Sequence, residues 1–193
     1  MAKTYHHGDL REQLLNAGEQ ALGEMPVAQV TLREIARRAG VSHAAPKHHF
    51  PSLGHLLAEI AARGYRRFVS ALADAANAAP EQGAEPRLLA MGRAYMQFAA
   101  ANPAAYQLMF GQRETMVMTP NLIATSYDAW AQLVAATTAI VGAHKAQGAA
   151  VHVWSSVHGL STLKQARRLP PDLPWHNIEE QMLRMMMEGL KAD

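Results

Sequence analysis

Apolar residues recur three and four positions apart along almost the whole chain, and strict alternation of apolar and polar residues is missing. That spacing lines one face of a helix and leaves no segment suited to a half-buried strand. Ala, Leu and Met, all good helix formers, dominate, and β-branched runs are few. The chain is therefore expected to be all-α. Glycines, prolines and capping residues divide it into nine helices. Asp9 is placed to cap the first, at about 10–24. Thr31-Leu32-Arg33-Glu34 reads as a capping box that opens a short helix ending near Gly40. Ser42 is placed to cap a second short helix running to about His49, in which Pro46 removes one early hydrogen bond. A long helix at about 53–78 follows, then helices at about 85–101, 103–110 and 120–145. Gly148 marks a break before a helix at about 149–168, and a final helix covers about 175–191. This pattern suggests a head of residues 1–52, a long connecting helix, and a body of residues 79–193.

Among 193 residues, 49% are hydrophobic, enough to bury a sizeable core. Cysteine is absent, which excludes disulfides, thiolate metal sites and a cysteine nucleophile. No apolar run approaches the ~18 residues of a membrane span. Residues 1–7 lack the apolar stretch of a signal peptide. A soluble, cytoplasmic protein with no membrane partner is expected. Charge is unevenly placed: residues 1–70 carry nine Lys/Arg against six Asp/Glu, and the remainder nine against ten. Six of the ten histidines also lie in the first part. A mildly basic head on a neutral body suggests a polyanionic partner for the head.

The informative segment is residues 31–50, TLREIARRAGVSHAAPKHHF. Two short helices meet at Ala39-Gly40-Val41, where Gly40 can adopt the left-handed conformation of a tight turn. Leu32, Ile35, Ala36, Ala39, Val41 and Phe50 form a small core, while His43, Lys47 and His48 face outward. A short exposed helix carrying donors and braced by a second helix has the shape that enters a major groove. This segment resembles the tetracycline-repressor (TetR) family of transcriptional regulators over about residues 9–67. The resemblance rests on Thr31, Ile35-Ala36, Ala39-Gly40-Val41-Ser42, His49-Phe50 and Leu56-Leu57. It implies a homodimer that binds a pseudo-palindromic double-stranded operator, acts as a repressor, and is released by a small-molecule effector. It further implies that Thr31 and Ser42 touch phosphates and that His43, Ala44, Lys47 and His48 face the groove. Lys47 stands where the family usually has tyrosine, and Leu53-Gly54 where Lys-Glu is common. Phosphate binding is thus expected to lean on Lys3, Arg33 and Lys47.

In the body, Trp154-Ser155-Ser156-Val157-His158-Gly159 resembles the W-x-x-x-H-G signature of one TetR C-terminal domain type. That resemblance implies that the last two long helices pair with their mates in a four-helix bundle. Ser155, Gly159 and Thr162 form a small-residue stripe for such an interface, and Ile178, Met182 and Met186 are candidates on the final helix. Met91, Tyr95, Phe98, Met109, Phe110, Trp130 and Trp154 are candidate pocket residues for an apolar or weakly polar effector. No cofactor, metal or catalytic residue is expected. Two rival readings exist. A hydrolase would use Ser155 and His158, three apart on one helix face, but no strained nucleophile turn or acidic orienter accompanies them. A metal site would use His6-His7-Asp9 or His48-His49. Adjacent helical positions point about 100° apart and suit one ion poorly.

Overall fold

The computed structural model describes residues 7–79, 83–111 and 116–191. These are all-helical: eight α-helices and two 3-10 helices, with no strand among the described residues. In chain order they are α1 (His7–Glu24), η1 (Val27–Gln29), α2 (Leu32–Arg38), η2 (Ala45–His48), α3 (Leu53–Asn77), α4 (Ala84–Ala101), α5 (Pro103–Phe110), α6 (Pro120–Val141), α7 (Ala146–Gln165) and α8 (Trp175–Lys191). The expected ninth α-helix is the 3-10 turn η2. The chain forms two compact units, Met1–Tyr65 with Pro103–Ser126, and Arg66–Asn102 with Tyr127–Asp193. Of the three boundaries, two fall inside α3 and α6 and one falls between α4 and α5.

The first unit packs α1, α2, η2 and the start of α3 around Leu14, Leu15, Ala21, Ile35, Ala36, Phe50, Leu56, Leu57 and Ile60, all buried. Gly18 lets α1 approach α3 closely: a Cβ there would stand 2.6 Å from Ile60 Cδ1. Helix α1 begins at His7, so Asp9 lies within its first turn rather than capping it. Thr31 Oγ1 accepts from the Glu34 amide at 3.1 Å and caps α2. The reciprocal half of the capping box is not made, because the Glu34 carboxylate accepts from Arg37 and Arg38 instead. Ser52 opens α3, its hydroxyl accepting from the His55 amide at 3.4 Å.

In the second unit α4, α7 and α8 pack together. Leu88, Met91, Tyr95, Phe98, Val153, Val157, Leu183, Met186 and Met187 are buried there. Gly92 on α4 faces Leu183, whose Cδ2 would lie 2.6 Å from an added Cβ. A bidentate pair of Arg93 and Glu180 (2.6 and 2.7 Å) and the Lys191–Glu85 bridge (2.6 Å) tie α4 to α8. Lys164 pairs with Glu179 and lies 5.0 Å over the Trp175 ring, joining α7 to α8. The break between α6 and α7 occurs at Gly142, not at Gly148. Gly142 has φ +78° and its amide donates to Thr138 O at 3.0 Å, whereas Gly148 lies inside α7. A left-handed glycine directly after the last helical turn ends a helix more effectively than a glycine within one.

Candidate nucleic-acid interface and body sites

The turn after α2 is a Schellman motif. Gly40 takes φ +68°, its amide donates to Arg37 O at 3.2 Å, and the Val41 amide donates to Ala36 O at 3.0 Å. A side chain would strain that backbone, so the glycine fixes the exit direction from α2. The segment that follows is not an α-helix. Ala45, Lys47 and His49 donate to Ser42 O, Ala44 O and Pro46 O, each three residues back. The cause is Pro46: the first α-helical bond from a helix capped at Ser42 would need the amide of residue 46, which proline lacks. Accordingly Ala44, not Ser42, is the N-cap of η2, and no side-chain cap is made.

Pro46 and Phe50 point inward and are buried. Thr31, Arg33, Ser42, His43, Ala44, Lys47 and His48 are all exposed. Lys3 lies outside the described residues, as does His6. The element therefore stands on an apolar base and turns its polar side chains outward. Arg37 and Arg38 are otherwise engaged. Both donate to Glu34, and Arg38 Nη1 also reaches Glu24 at 2.7 Å, bridging α2 to the end of α1. These contacts, Arg37 first and Arg38 second, hold the Glu34 carboxyl down to about 2.

Below the element, Arg11 lies 5.3 Å over the Phe50 ring. The same guanidinium donates to Glu59 at 2.7 Å, and Asn121 Nδ2 reaches both Glu59 oxygens at 3.1 Å. Periodicity and motif matching do not reveal this cluster, whose members are 48 and 62 residues apart.

The seven body candidates fall into two sets. Met109 and Phe110 belong to the first unit, with Tyr65 and Tyr106. Phe110 meets those rings at 5.7 and 5.0 Å, and the Tyr65 hydroxyl donates to Met109 O at 3.1 Å. Met91, Tyr95, Phe98, Trp130 and Trp154 belong to the second unit. Phe68 meets Tyr95 and Phe98 edge-on at 5.2 Å, and Trp130 meets Trp154 at 6.2 Å. His158 joins the two groups. Its Nδ1 is 2.8 Å from the Tyr95 hydroxyl, its ring is 6.0 Å from Trp154, and burial pushes its pKa down. An open groove of about 680 Å³ in the same unit is lined by His144, Lys145, Gly148, His152, Gly189 and Leu190, among others.

On α7 and α8, Ser155 and Thr162 are exposed and Gly159 is half-buried, with nothing within 4 Å of an added Cβ. Val151, Leu163 and Met185 are apolar yet exposed at 52, 44 and 62%. Ile178 and Met182 are half-buried. Met186 is 2% exposed and packs within its own unit, so it has little surface to present to another chain. Among the described residues no group of three or more His, Cys, Asp or Glu is placed to hold a metal.

A capped helix, a Schellman turn and an outward polar turn braced on a long helix define a helix-turn-helix regulator. Comparison with known proteins gives the family. The family model for bacterial regulatory proteins of the tetR family matches residues 14–60, and that for the tetracyclin repressor-like C-terminal domain matches residues 88–190. The chain belongs to the TetR family of transcriptional regulators. A solved protein of unknown function from Rhodococcus sp. RHA1 is similar at 30% identity and TM-score 0.84, over 97% of this chain and 98% of that one. A putative transcriptional regulator from Pseudomonas aeruginosa PAO1 shares the fold at 20% identity and TM-score 0.76, over 98 and 93% of the two chains. A possible TetR family regulator from Streptomyces coelicolor A3(2) does so at 20% and 0.70, over 94 and 98%. No curated protein matches the chain.

Proposed function

We propose that the protein is a cytoplasmic, non-catalytic repressor that binds a pseudo-palindromic operator as a homodimer and leaves it when a small molecule occupies the second unit. The observation that carries this reading is the outward row Ser42, His43, Ala44, Lys47 and His48 on a base anchored by Pro46 and Phe50. Thr31, Arg33, Lys47 and Lys3 supply phosphate contacts, and the residues of η2 meet base edges. The two-fold partner is a second copy, paired through Ser155, Gly159 and Thr162 with the exposed Val151, Leu163 and Met185. Such pairing sets two reading elements one DNA turn apart, about 34 Å. The effector contacts the aromatic set around Trp130, Trp154, Tyr95 and His158, and its apolar surroundings favour an apolar or weakly polar molecule. No described helix is long and apolar enough to cross a membrane, in keeping with a protein that works on DNA.

Against the hydrolase reading, the His158 ring is directed to Tyr95 through Nδ1. The test is selection of bound duplexes from a random library by the purified protein, followed by titration in increasing salt. A palindromic consensus with half-sites about one turn apart, and affinity falling with salt, is the expected result. Absence of any enriched duplex would end this reading.

A further inference from the structure

Three elements of the first unit meet at a single carboxylate. Glu59 on α3 accepts from Arg11 on α1 at 2.7 Å and from Asn121 in the first turn of α6 at 3.1 Å to each oxygen. The Glu59 side chain is only 18% exposed, so these charge-assisted bonds form in a sheltered setting. The Arg11 guanidinium is shared: it also covers the Phe50 ring, which closes the reading element. Phe50 in turn donates its amide to Pro46 O at 2.8 Å, at the centre of η2. An unbroken series of contacts thus runs from the first turn of α6, through Glu59 and Arg11, to the inner face of the segment whose outer face reads DNA. A second contact reinforces the α6 end, where the Val117 amide meets Gly54 O at 3.4 Å.

We propose that Glu59 is the hub that sets the angle of the reading element, with Arg11 and Asn121 as positioning residues that never touch DNA. This rests on the DNA-binding reading above. A sheltered carboxylate must keep its donors, because an unpaired one is costly to hold. Arg11 therefore stays where Glu59 is, and Phe50 stays under Arg11. Asn121 supplies the third side of the hub, so the first turn of α6 bears directly on the group that holds Arg11. Arg11 serves both neighbours at once: one guanidinium nitrogen donates to the Glu59 carboxylate while the guanidinium carbon stands 5.3 Å from the Phe50 ring centroid.

The test uses the full-length protein and the duplex it selects. Asn121→Asp sets a second carboxylate against Glu59, and Glu59→Gln with Asn121→Asp restores an amide–carboxylate pair. The expected result is operator binding about tenfold weaker in Asn121→Asp, recovering to within about threefold in the double variant. The dependence of log affinity on log salt should keep its slope in both, because no phosphate contact is removed. Amide hydrogen exchange without DNA should quicken across residues 42–50 in Asn121→Asp while the second unit keeps its protection. A slope reduced by about one would make Asn121 or Arg11 a DNA contact and overturn the proposal. Unchanged affinity together with unchanged exchange across 42–50 would overturn it too. If the wild-type protein selects no duplex, the DNA-binding reading falls, and the exchange comparison still decides the role of Glu59.

Discussion

Lys47 carries the single full positive charge on the outward row from Ser42 to His48, and a point charge there serves the phosphate backbone better than it serves base discrimination. Lys47→Ala should therefore weaken binding to every duplex alike and reduce the salt slope by about one, read from affinities at several salt concentrations. Glu34 makes a prediction of a different kind. Its carboxyl is held at about 2 by Arg37 and Arg38, below the ordinary carboxylate range. A depressed carboxyl stabilises the fold above its unfolded pKa, and that contribution is lost as pH falls toward 2. Glu34→Gln should flatten the acid limb of stability in that window, measured by denaturant unfolding at pH steps from 5 to about 2. Burial lowers the pKa of His158 as well, so the sign is the same in a higher window: stability should fall as pH drops below the ordinary imidazole value. At this scale the outward His43, Lys47 and His48 and the inward Phe50 were legible in the sequence, whereas the burial of Pro46 was not, because it follows from the 3-10 turn that replaces the expected α-helix. The capping box put Glu34 against Thr31, but its carboxylate turns to Arg37 and Arg38. Arg37 and Arg38 are local, whereas the Glu24 contact to Arg38 spans 14 residues and depends on where α1 ends.

Pro46 decides the character of η2, and through it the spacing of the outward side chains. A 3-10 turn advances 120° per residue, against 100° in an α-helix. Pro46→Ala restores the missing amide and permits a bond to Ser42 O. The expected outcome is a gain in helical signal by circular dichroism with operator affinity reduced about tenfold or more, because His43, Ala44, Lys47 and His48 change phase. Elsewhere the helices meet at glycines whose missing side chains decide how near they come. Gly92→Val would set a Cβ 2.6 Å from Leu183 Cδ2 and should cost about 1–3 kcal/mol by urea unfolding, since Leu183 is fully buried and its side chain must shift within a packed core. Eight of the nine expected helices form, the exception being the segment after Ser42, and α5 and α8 match their expected ends. Two boundaries moved for reasons the period does not encode. Helix α1 extends back to His7 past its expected cap, and α6 ends at Gly142 because that glycine, not Gly148, takes the left-handed conformation.

In the proposed dimer two reading elements are held at a fixed separation, so on that reading the surface of α7 and α8 matters as much as η2. Met185 and Val151, exposed at 62 and 52%, are apolar groups with no role in the chain's own core. Met185→Glu with Val151→Glu should leave the unfolding midpoint of the single chain near its wild-type value. It should shift the sedimentation coefficient to that of a monomer, and operator affinity should fall with it, because one half-site contact replaces two. Unchanged sedimentation would remove these two residues from the interface. Apolar period, capping residues and the Thr31–Phe50 motif were enough to determine helical class, helix order and the outward face of the reading element, because each depends on neighbours within a turn or two. Only the tertiary structure decided that Glu59 gathers Arg11 and Asn121, that Met109 and Phe110 pack in the first unit while Trp130 and Trp154 pack in the second, and that Met186 turns inward. Those outcomes depend on which distant helix faces come together, and a helical repeat specifies a face without naming the surface that covers it.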